Sequence, residues 1–385
     1  MNILVIVDGI GKTAAGIVAE EFFSELITQN PETLIICNNA ITDKIPNEKI
    51  IELRLSPIQH NRIDHILIIT TQKEWRGKFW VKKGLNKFNN LNLKFKPDII
   101  LSFISSSGFH ILELGYEISK KFIIPFAIHA VDPLPSTPSW GKNPSLRKAI
   151  MSVIKPYFKH ASLISATNEA MINYQLKVLG IDKKNKNTAV IPNPSQFCEL
   201  SDDKNSSRRT ISFLYLGSLY LKRSAEKIIK AFINFSSKQP LTNLYFVGNT
   251  SNIDKKYYSE ICENIFFLDW TDNPIEYISK SDVLIDIDAD IEGDVFMSSK
   301  LPFYLNLNKI VLSITPKNSP ARIILENLPE TTVLSEHQIK EIEKAFENSL
   351  LKSKTVFDYS ERKEIRHYFS PKSVVSSFLE CLEKI

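Results

Sequence analysis

Ile3-Leu4-Val5-Ile6-Val7-Asp8-Gly9-Ile10-Gly11-Lys12 opens the chain with an apolar strand, a glycine-containing turn and the approach to a helix. The same pattern returns near the middle with Phe213-Leu214-Tyr215-Leu216-Gly217-Ser218, followed by an amphipathic run as far as Phe232. Two strand–turn–helix openings in one chain predict two doubly wound α/β domains with parallel sheets. We expect these domains to face each other across a cleft, which suits one nucleotide-linked substrate and one acceptor.

Length and composition limit the kind of protein. The chain has 385 residues, 43% hydrophobic and 24% charged, which is long for one ordinary domain and suits two. The net charge of +5 is too small to indicate a nucleic-acid partner. The start of the chain has no signal-peptide pattern, and no apolar run is long enough to span a bilayer. Because the four cysteines match no metal or redox spacing, we expect reduced thiols and a cytoplasmic protein.

Alternating strand-like and helix-like runs predict parallel sheets covered on both faces. In the first half, the predicted strands cover residues 3–7, 33–37, 66–70, 99–104, 124–129 and 163–166, and the predicted helices cover 14–27, 111–121, 146–158 and 169–179. In the second half, the predicted strands cover 211–216, 243–247, 265–268, 283–286 and 310–313, with a helix over 225–235.

The domain boundary is predicted from a polar stretch at residues 202–209, which has the composition of an exposed linker. We therefore expect an N-terminal acceptor domain over residues 1–200 and a C-terminal donor domain over residues 201–365. A final helical segment, residues 366–385, is expected to cross back onto the N-terminal domain.

The first glycine turn lies between a strand and a helix, where backbone N–H groups are free to bind an anionic or hydroxyl-rich ligand. Gly11 would approach such a ligand through its backbone. The triplet Gly11-Lys12-Thr13 is not a phosphate-binding P-loop, because the glycine required five residues earlier is Ile6. A tight strand-to-helix turn explains the same glycines without any ligand.

His129 lies at the end of a predicted strand, and Asp132 follows three residues later. The C-terminal ends of strands border the ligand crevice of a doubly wound sheet. His129 is therefore a candidate to accept or share an acceptor proton, with Asp132 orienting the imidazole or binding a sugar hydroxyl. The alternative is a purely structural histidine.

Two groups of cations in the second half are candidates to bind a diphosphate. Lys222 and Arg223 follow the second glycine turn and precede a helix. Ser299 and Lys300 open another predicted helix, whose N-terminus adds positive potential. A solvated loop and an ordinary capped surface helix are the alternatives.

Basic and aromatic residues are interleaved between Lys73 and Lys96. Eight cations in this stretch are opposed only by Glu74, and the apolar residues among them are Trp75, Phe79, Trp80, Leu85 and Phe88. Such a stretch can lie on an anionic membrane surface. The alternative is a solvated helix whose aromatic residues pack onto its own sheet.

Taken in order, these segments resemble the retaining glycosyltransferases of family 4, which have two Rossmann domains in the GT-B arrangement. The second domain of that family opens with Gly-Arg-Leu, then Lys-Gly, then a helix ending in Ala-Phe. The counterparts here are Gly217-Ser218-Leu219, Arg223-Ser224 and Ala231-Phe232. Further segments that match are Ile191-Pro192-Asn193-Pro194, Tyr245-Phe246-Val247-Gly248, Phe267-Leu268-Asp269-Trp270 and Ser299-Lys300-Leu301. The last of these is the variant seen in surface-polysaccharide members.

The resemblance implies transfer of a hexose from a nucleotide diphosphate sugar to an oligosaccharide or lipid-linked acceptor, with retention and with no metal or other cofactor. It places the donor diphosphate against Arg223, Lys222, Lys300, Ser299 and Gly11. It places the nucleotide base near Asp269, Trp270 and Gly248, and His129 at the reacting sugar. The expected partners are the nucleotide sugar and the glycan acceptor, with the Lys73–Lys96 stretch touching the cytoplasmic face of the membrane.

The chain departs from the family pattern at the paired glutamates, whose positions hold Val295 and Phe303, and at Ser218, where the family has an arginine. The nearest carboxylates for the donor sugar are Asp290, Glu292 and Asp294. Two other hypotheses stay open. One is a non-catalytic subunit that only binds, which these losses favour, and the other is a nucleotide-sugar 2-epimerase or phosphorylase on the same fold.

Overall fold

The computed structural model describes residues 1–54, 62–75, 77–91, 94–105, 108–141, 143–198, 210–219, 222–251, 253–271, 273–355 and 357–385. The chain divides into two compact units. Unit 1 comprises Met1–Ser195 with Phe369–Ile385, and unit 2 comprises Gln196–Tyr368. The polar stretch at 202–209, on which the predicted domain boundary rests, lies outside the described residues.

Unit 1 is built on a parallel sheet that, within the described ranges, has seven strands in the order β5-β3-β1-β6-β7-β8-β9. Its strands are β1 Ile3–Val7, β3 Thr33–Cys37, β5 Ile50–Glu52, β6 Ile99–Ile104, β7 Phe126–Ala130, β8 Leu163–Ala166 and β9 Asn187–Val190; β2 Gly9–Ile10 and β4 Asn39–Ala40 form a separate short pair. Its helices are α1 Ala14–Gln29, α2 Arg62–Thr71, α3 Gly77–Leu91, α4 Phe109–Phe122, α5 Pro144–His160, α6 Glu169–Leu179 and α14 Pro371–Leu382.

Unit 2 is built on a second parallel sheet, with six strands among the residues described there, in the order β12-β11-β10-β13-β14-β15. Its strands are β10 Ile211–Leu216, β11 Thr242–Val247, β12 Ile265–Leu268, β13 Val283–Ile287, β14 Ile310–Ile314 and β15 Thr332–Ser335. Its helices are α7 Glu226–Ser236, α8 Lys255–Ile261, α9 Pro274–Ser279, α10 Lys300–Leu305, α11 Pro320–Leu325 and α12 Ile339–Ser353, and α13 Lys363–Phe369 ends at the unit boundary. The prediction of two doubly wound parallel-sheet units is confirmed.

The central strands of both sheets are largely buried because helices cover both faces. Every residue of β1 is buried, and so is every residue of β6. This continuous burial is typical of parallel sheets and accounts for runs that show no polar alternation. Runs of this kind predict buried strands, whereas the order of the strands within each sheet comes from the structure.

The prediction of a strand at residues 66–70 is wrong, because this run belongs to helix α2. Ile68 is buried, whereas Ile63 and Ile66 are exposed, so only one side of the apolar run meets the core. The sheet position next to β3 is taken instead by β5, a three-residue strand that the sequence analysis did not predict. Strands β9 and β15, one at an edge of each sheet, were also not predicted.

The last helix of the chain, α14, belongs to the core of unit 1. Its buried side chains join the same hydrophobic cluster as α1 and β1; they are Val374, Val375, Phe378 and Leu382. The Phe378 ring lies 5.4 Å from that of Phe22 on α1, and Ser376 donates a hydrogen bond to Gln29. In the part of the chain that the structure describes, no helix has both the length and the apolar character needed to cross a membrane.

Candidate functional site

The carboxyl ends of neighbouring strands in unit 2 place several turn and polar residues side by side. Gly217 follows β10, Gly248 follows β11 and Asp288 follows β13. Gly248 has φ of 131°, and a Cβ there would lie 2.5 Å from the carbonyl oxygen of Gly217. Only glycine fits this close approach of two backbones. The result is an open, backbone-lined edge of the sheet, the usual ligand side of a doubly wound fold.

Lys300, the first residue of α10, points its amine at this edge. Its Nζ atom lies 5.5 Å from the centre of the Tyr215 ring, and a Cβ on Gly217 would be 3.2 Å from it. Lys300 as a whole residue is half-buried, while its amine is desolvated by the surrounding protein, and among the described residues no carboxylate lies within ion-pair distance of that amine. It is therefore a cation positioned by packing rather than by an ion pair.

Two buried carboxylates lie beneath this cation, and the sequence analysis did not single them out. Asp286, within β13, accepts a hydrogen bond from Ser313 (3.3 Å), and Asp288 accepts one from Thr315 (2.7 Å). One oxygen of each carboxylate is buried without a hydrogen-bond partner. Burial, followed by the charge of Asp286, raises the pKa of Asp288 to about 7.

The charged groups of this cluster influence one another's pKa values. Burial and the neighbouring guanidinium of Arg223 lower the pKa of Lys300 to about 8, against the attraction of Asp286 and Asp288. Arg223 also acts on Asp288 by favouring its ionised form. Arg223 and Lys300 therefore lie in one polar region of unit 2. Two cations that bind the same anionic ligand must lie close together in this way.

The other predicted donor residues of unit 2 differ in their exposure and in their partners. Asp290 forms an ion pair with Lys227 at 2.7 Å, Glu292 is exposed, and Asp294 is buried and accepts a hydrogen bond from the backbone N–H of Phe296. Ser299, Lys222, Asp269 and Trp270 are exposed. Arg223 and Lys300 are thus the two predicted diphosphate residues whose charges act on each other.

A pocket of about 110 Å³ in unit 1 lies at the first glycine turn. Its lining includes Asp8, Gly11, Asn39, Ser105 and Val131. Gly11 has φ of 74°, and a Cβ there would collide with the carbonyl oxygen of Ile41. The Gly11 N–H donates to the carbonyl oxygen of Gly16, so in this structure it is engaged within the turn.

The structure encloses His129 in the core of unit 1. Its ring is 1% exposed, is stacked on Phe22 at 5.8 Å and lies 4.9 Å from Phe103. Its Nδ1 atom shares a hydrogen bond with Ser165, and burial lowers its pKa to about 3. This packing favours a structural histidine over contact with a sugar. Asp132 follows the end of β7 and is half-buried. Its neighbour Val131, and not Asp132, is among the residues that line the pocket.

A different histidine lies beside the pocket, and sequence analysis missed it. His110, in the first turn of α4, has its Nε2 atom 3.3 Å from Oδ1 of Asp8 and its Nδ1 atom 3.8 Å from Oε1 of Glu74. Asp8 comes directly after β1, and α4 follows β6, the strand next to β1. The sequence signal that could have located this cluster is therefore a pair of polar residues, Asp8 and His110, each of which follows one of two adjacent strands.

The fold is shared with known glycosyltransferases. No family model and no curated protein matches the chain. Among solved structures, the chain is similar to sucrose-phosphate synthase from Thermosynechococcus elongatus, with 13% identity, a TM-score of 0.66 and coverage of 100% of this chain and 99% of that one. It is similar to Anabaena HepE in complex with UDP-glucose, with 14% identity, a TM-score of 0.67 and full coverage of both chains.

A third solved structure with the same fold is WaaG, a glycosyltransferase involved in lipopolysaccharide biosynthesis. The identity is 12% and the TM-score 0.63, with coverage of 100% of this chain and 99% of that one. Similarity over the whole chain confirms the predicted GT-B class of fold.

Proposed function

We propose that this chain is a glycosyltransferase that moves a hexose from a nucleotide diphosphate sugar to an oligosaccharide or lipid-linked glycan acceptor. The observation that carries the proposal is the cation pair of unit 2, Lys300 with Arg223, at the ligand edge of a sheet. Whole-chain similarity in fold to glycosyltransferases supports it. We further propose, from the family resemblance, retention at the anomeric carbon and a role in surface-polysaccharide synthesis.

Lys300 and Arg223 would stabilise the leaving diphosphate as its bond to the sugar breaks. Positive groups fixed before the reaction lower the barrier because they need not reorganise as charge develops. In this proposal they supply the charge that a metal ion supplies elsewhere, so transfer is metal-independent. Lys222 and Ser299 would add contacts at the same phosphates.

The rest of the donor is assigned to the exposed rim of unit 2. Trp270, which is 63% exposed, offers a ring for stacking on the base, with Asp269 and Gly248 near it. Asp290, Glu292 and Asp294 are proposed for the sugar hydroxyls. Asp290 would exchange its ion pair with Lys227 for such a contact.

Calorimetric titration with UDP, GDP, dTDP and UDP-glucose tests the diphosphate site. Lys300→Ala and Arg223→Ala should each weaken binding about tenfold or more, because each removes a charge-assisted contact. Lys256→Ala is the matched control, since the Lys256 side chain is 88% exposed on α8. Binding by the wild type that neither variant weakens would remove both cations from the site.

A non-catalytic binding subunit is the second candidate, because Ser218, Val295 and Phe303 replace family residues. Val295 is buried and has no group to hold a sugar. Release of nucleotide diphosphate from the tightest-binding nucleotide sugar separates the two candidates. Binding without release, with every acceptor supplied, would favour the subunit.

A membrane surface is the proposed location of the acceptor. Trp75, which precedes α3, is 46% exposed, and Phe79, in the first turn of α3, is 78% exposed. The amine of Lys78 lies 3.9 Å from the centre of the Trp75 ring. Trp80 and Phe88 are instead buried. One face of α3 therefore packs its aromatic residues inside the protein, and the face that carries Phe79 is the candidate for membrane contact. Exposed aromatic rings beside lysines are suited to an anionic interface.

Vesicle co-sedimentation tests this surface. Phosphatidylglycerol vesicles should retain more protein than phosphatidylcholine vesicles, and raised salt should release it because the attraction is electrostatic. Phe79→Ser should reduce retention, whereas Tyr257→Ser, at an exposed aromatic residue of unit 2, should not. Equal retention by both lipids would contradict the proposal.

A further inference from the structure

Two buried carboxylates of unit 2, to which the proposed function gives no role, lie at the carboxyl end of β13. Asp286 lies within the strand, and Asp288 directly follows it. Because side chains alternate along a strand, both point to the same face of the sheet. They are 0% and 3% exposed. Two like charges this close and this buried cost free energy unless a positive group offsets them.

Strand β14 fixes the orientation of both carboxylates. Ser313, which pairs with Asp286 in the sheet, donates a hydrogen bond to it at 3.3 Å. Thr315 donates to Asp288 at 2.7 Å and is itself in hydrogen-bond contact with Ser319. Within the described part of the chain, the other oxygen of each carboxylate is buried without a hydrogen-bond partner. The negative charge is therefore held in place, and neutral donors offset only part of it.

The second glycine turn lies level with these carboxylates. Tyr215 of β10 is beside Ile285 of β13, so Gly217, two residues later, comes level with the segment that carries them. The amine of Lys300 is 3.2 Å from the position that a Cβ on Gly217 would occupy. Adjacent strands are about 4.8 Å apart. The Lys300 amine and the two carboxylates thus lie at the same end of the same pair of strands.

Lys300 is subject to opposing electrostatic influences. Burial and the guanidinium of Arg223 favour loss of its proton, whereas Asp286 and Asp288 favour the charged ammonium. The balance lowers its pKa to about 8. The face of the Tyr215 ring, 5.5 Å from the amine, adds a weak cation–π attraction. At neutral pH the amine is therefore charged, and the two carboxylates are the groups that oppose its neutralisation.

Asp288 contributes most above neutral pH. Burial and the charge of Asp286 raise its pKa to about 7, while Arg223 favours its ionised form and Asp294 disfavours it. Asp288 therefore gains its charge over the pH range in which Lys300 begins to lose its own. Each ionisation in turn favours the other, because opposite charges stabilise each other.

We infer that Asp286 and Asp288 are positioning residues for Lys300, whose amine they keep charged at the sheet edge where a diphosphate would bind. They act through the amine and not on the nucleotide. This inference rests on the proposed function, which assigns Lys300 to the donor diphosphate, and it adds two residues for which the family resemblance gives no role.

Trace acetylation of the protein without nucleotide, followed by peptide mass spectrometry, measures the charge of Lys300. Acetic anhydride attacks only the unprotonated amine, so the labelling rate rises with pH around the pKa. The wild-type midpoint should lie at about pH 8. In Asp286→Asn it should fall to about pH 7, because the nearest opposing charge is lost. Glu263→Gln, at an exposed carboxylate of unit 2, should keep the wild-type midpoint.

Calorimetry with UDP-glucose, which carries the same charge at pH 6 and pH 8, measures the effect on the proposed site. From pH 6 to pH 8 the affinity should fall about fivefold more in Asp286→Asn than in the wild type, because more of the amine is neutral at pH 8. In the Lys300→Arg background, Asp286→Asn should not steepen the fall, because a guanidinium stays charged.

The outcomes separate the inference from the proposed function. A wild-type labelling midpoint in an Asp286→Asn protein that unfolds in urea like the wild type would overturn the inference. So would an equally steep fall in the Lys300→Arg background, because the carboxylate would then act on the nucleotide itself. If Asp286→Asn does not fold, Asp288→Asn gives the same comparison, since its amide oxygen can still accept from Thr315. A wild type that binds no nucleotide would overturn the proposed function, whereas the labelling midpoints would still decide whether the carboxylates keep Lys300 charged.

Discussion

Two buried histidines of unit 1 have opposite charge states because their neighbours differ. His129 lies against the rings of Phe22 and Phe103, with a single serine hydroxyl as its polar neighbour. Desolvation there disfavours the cation and lowers its pKa. His110 lies between two carboxylates, whose charges outweigh a similar desolvation. Equal burial thus gives one neutral imidazole and one imidazolium.

His129→Phe should make the protein more resistant to acid. In the unfolded chain the imidazole binds a proton below about pH 6.5, whereas in the folded chain its pKa is about 3. Its contribution to stability is therefore complete above pH 6.5 and is lost as the pH falls, by about 1.4 kcal/mol per unit. A phenyl ring keeps the stacking and does not titrate.

Urea unfolding between pH 4 and pH 7 measures this effect. The variant should lose less unfolding free energy than the wild type over that range. His65→Phe serves as the control, because His65 is half-buried whereas His129 is 1% exposed. If the unfolding free energy changed equally with pH in the wild type and in His129→Phe, His129 would not be a neutral imidazole in the folded protein.

At the residue scale, a sequence locates a side chain along a strand but not the neighbours that decide its chemistry. His129 was predicted at a strand end, and that is where it lies, within β7. Which face of the sheet it occupies, and that Phe378 from the far end of the chain lies 6.3 Å from it, depend on tertiary packing. Asp286 and Asp288 were missed for the same reason, since only the fold places them under Lys300.

Helix α10 is held in place from behind by a buried arginine. Arg362 is fully buried and donates to the carbonyl oxygens of Leu307 (2.7 Å) and Lys309 (2.9 Å), and to the hydroxyl of Thr331 (2.8 Å). Leu307 and Lys309 follow the C-terminus of α10, whose first residue is Lys300. A guanidinium suits this task because its fork of donors is planar and rigid. The position of the candidate phosphate cation thus depends on a residue far along the chain.

Arg362→Met should destabilise unit 2 by about 3 kcal/mol, because several buried carbonyl oxygens lose their donors at once. It should also weaken nucleotide binding, since α10 loses its support. Lys363→Met, at the exposed neighbouring position, is the matched control. Denaturant unfolding and calorimetry measure the two effects. Unchanged stability in Arg362→Met would show that water replaces the guanidinium at little cost.

The charge of Lys300 predicts a pH dependence for donor binding. Because its pKa is lowered to about 8, the free protein loses this positive charge as the pH rises from 7 to 9. Affinity for UDP should fall over that range. Lys300→Arg should bind with little dependence on pH, because a guanidinium stays charged. Equal slopes for wild type and variant would indicate that Lys300 is not at the phosphates.

At the element scale, sequence patterns predict long central strands and fail at edges. β1, β6 and β10 were predicted with their observed bounds, because each is mostly buried and its run of residues is mainly apolar. Residues 66–70 carry a similar run but form part of a helix. Helix α2 buries Ile68 and exposes Ile66. A run of five residues covers little more than one helical turn, so the helical repeat of buried and exposed positions cannot be recognised within it. Edge strands such as β5 are short and half-buried, so their signal is weak.

At the scale of the whole molecule, each unit has its own hydrophobic core, but the chain does not divide at a single point. The core of unit 1 is completed by α14, which follows all of unit 2 in sequence. Its four buried apolar side chains, at about 1.5–3 kcal/mol each, contribute an amount comparable to the whole stability of a typical domain. The hydrophobic core of unit 1 therefore cannot form fully until helix α14 has been synthesised.

Ending the chain at Tyr368 should unfold unit 1 and spare unit 2. Removal of α14 uncovers Phe22 and the β1 side of the core, whereas the core of unit 2 lies wholly within Gln196–Tyr368. Hydrogen exchange followed by peptide mass spectrometry resolves the two units: peptides from β1, β3 and β6 should lose protection, and those from β10, β13 and β14 should keep it. A chain ending at Leu382 keeps the helix and should match the full chain. Protection of β1 that survives without α14 would mean that the strands and helices before residue 195 already form a stable core.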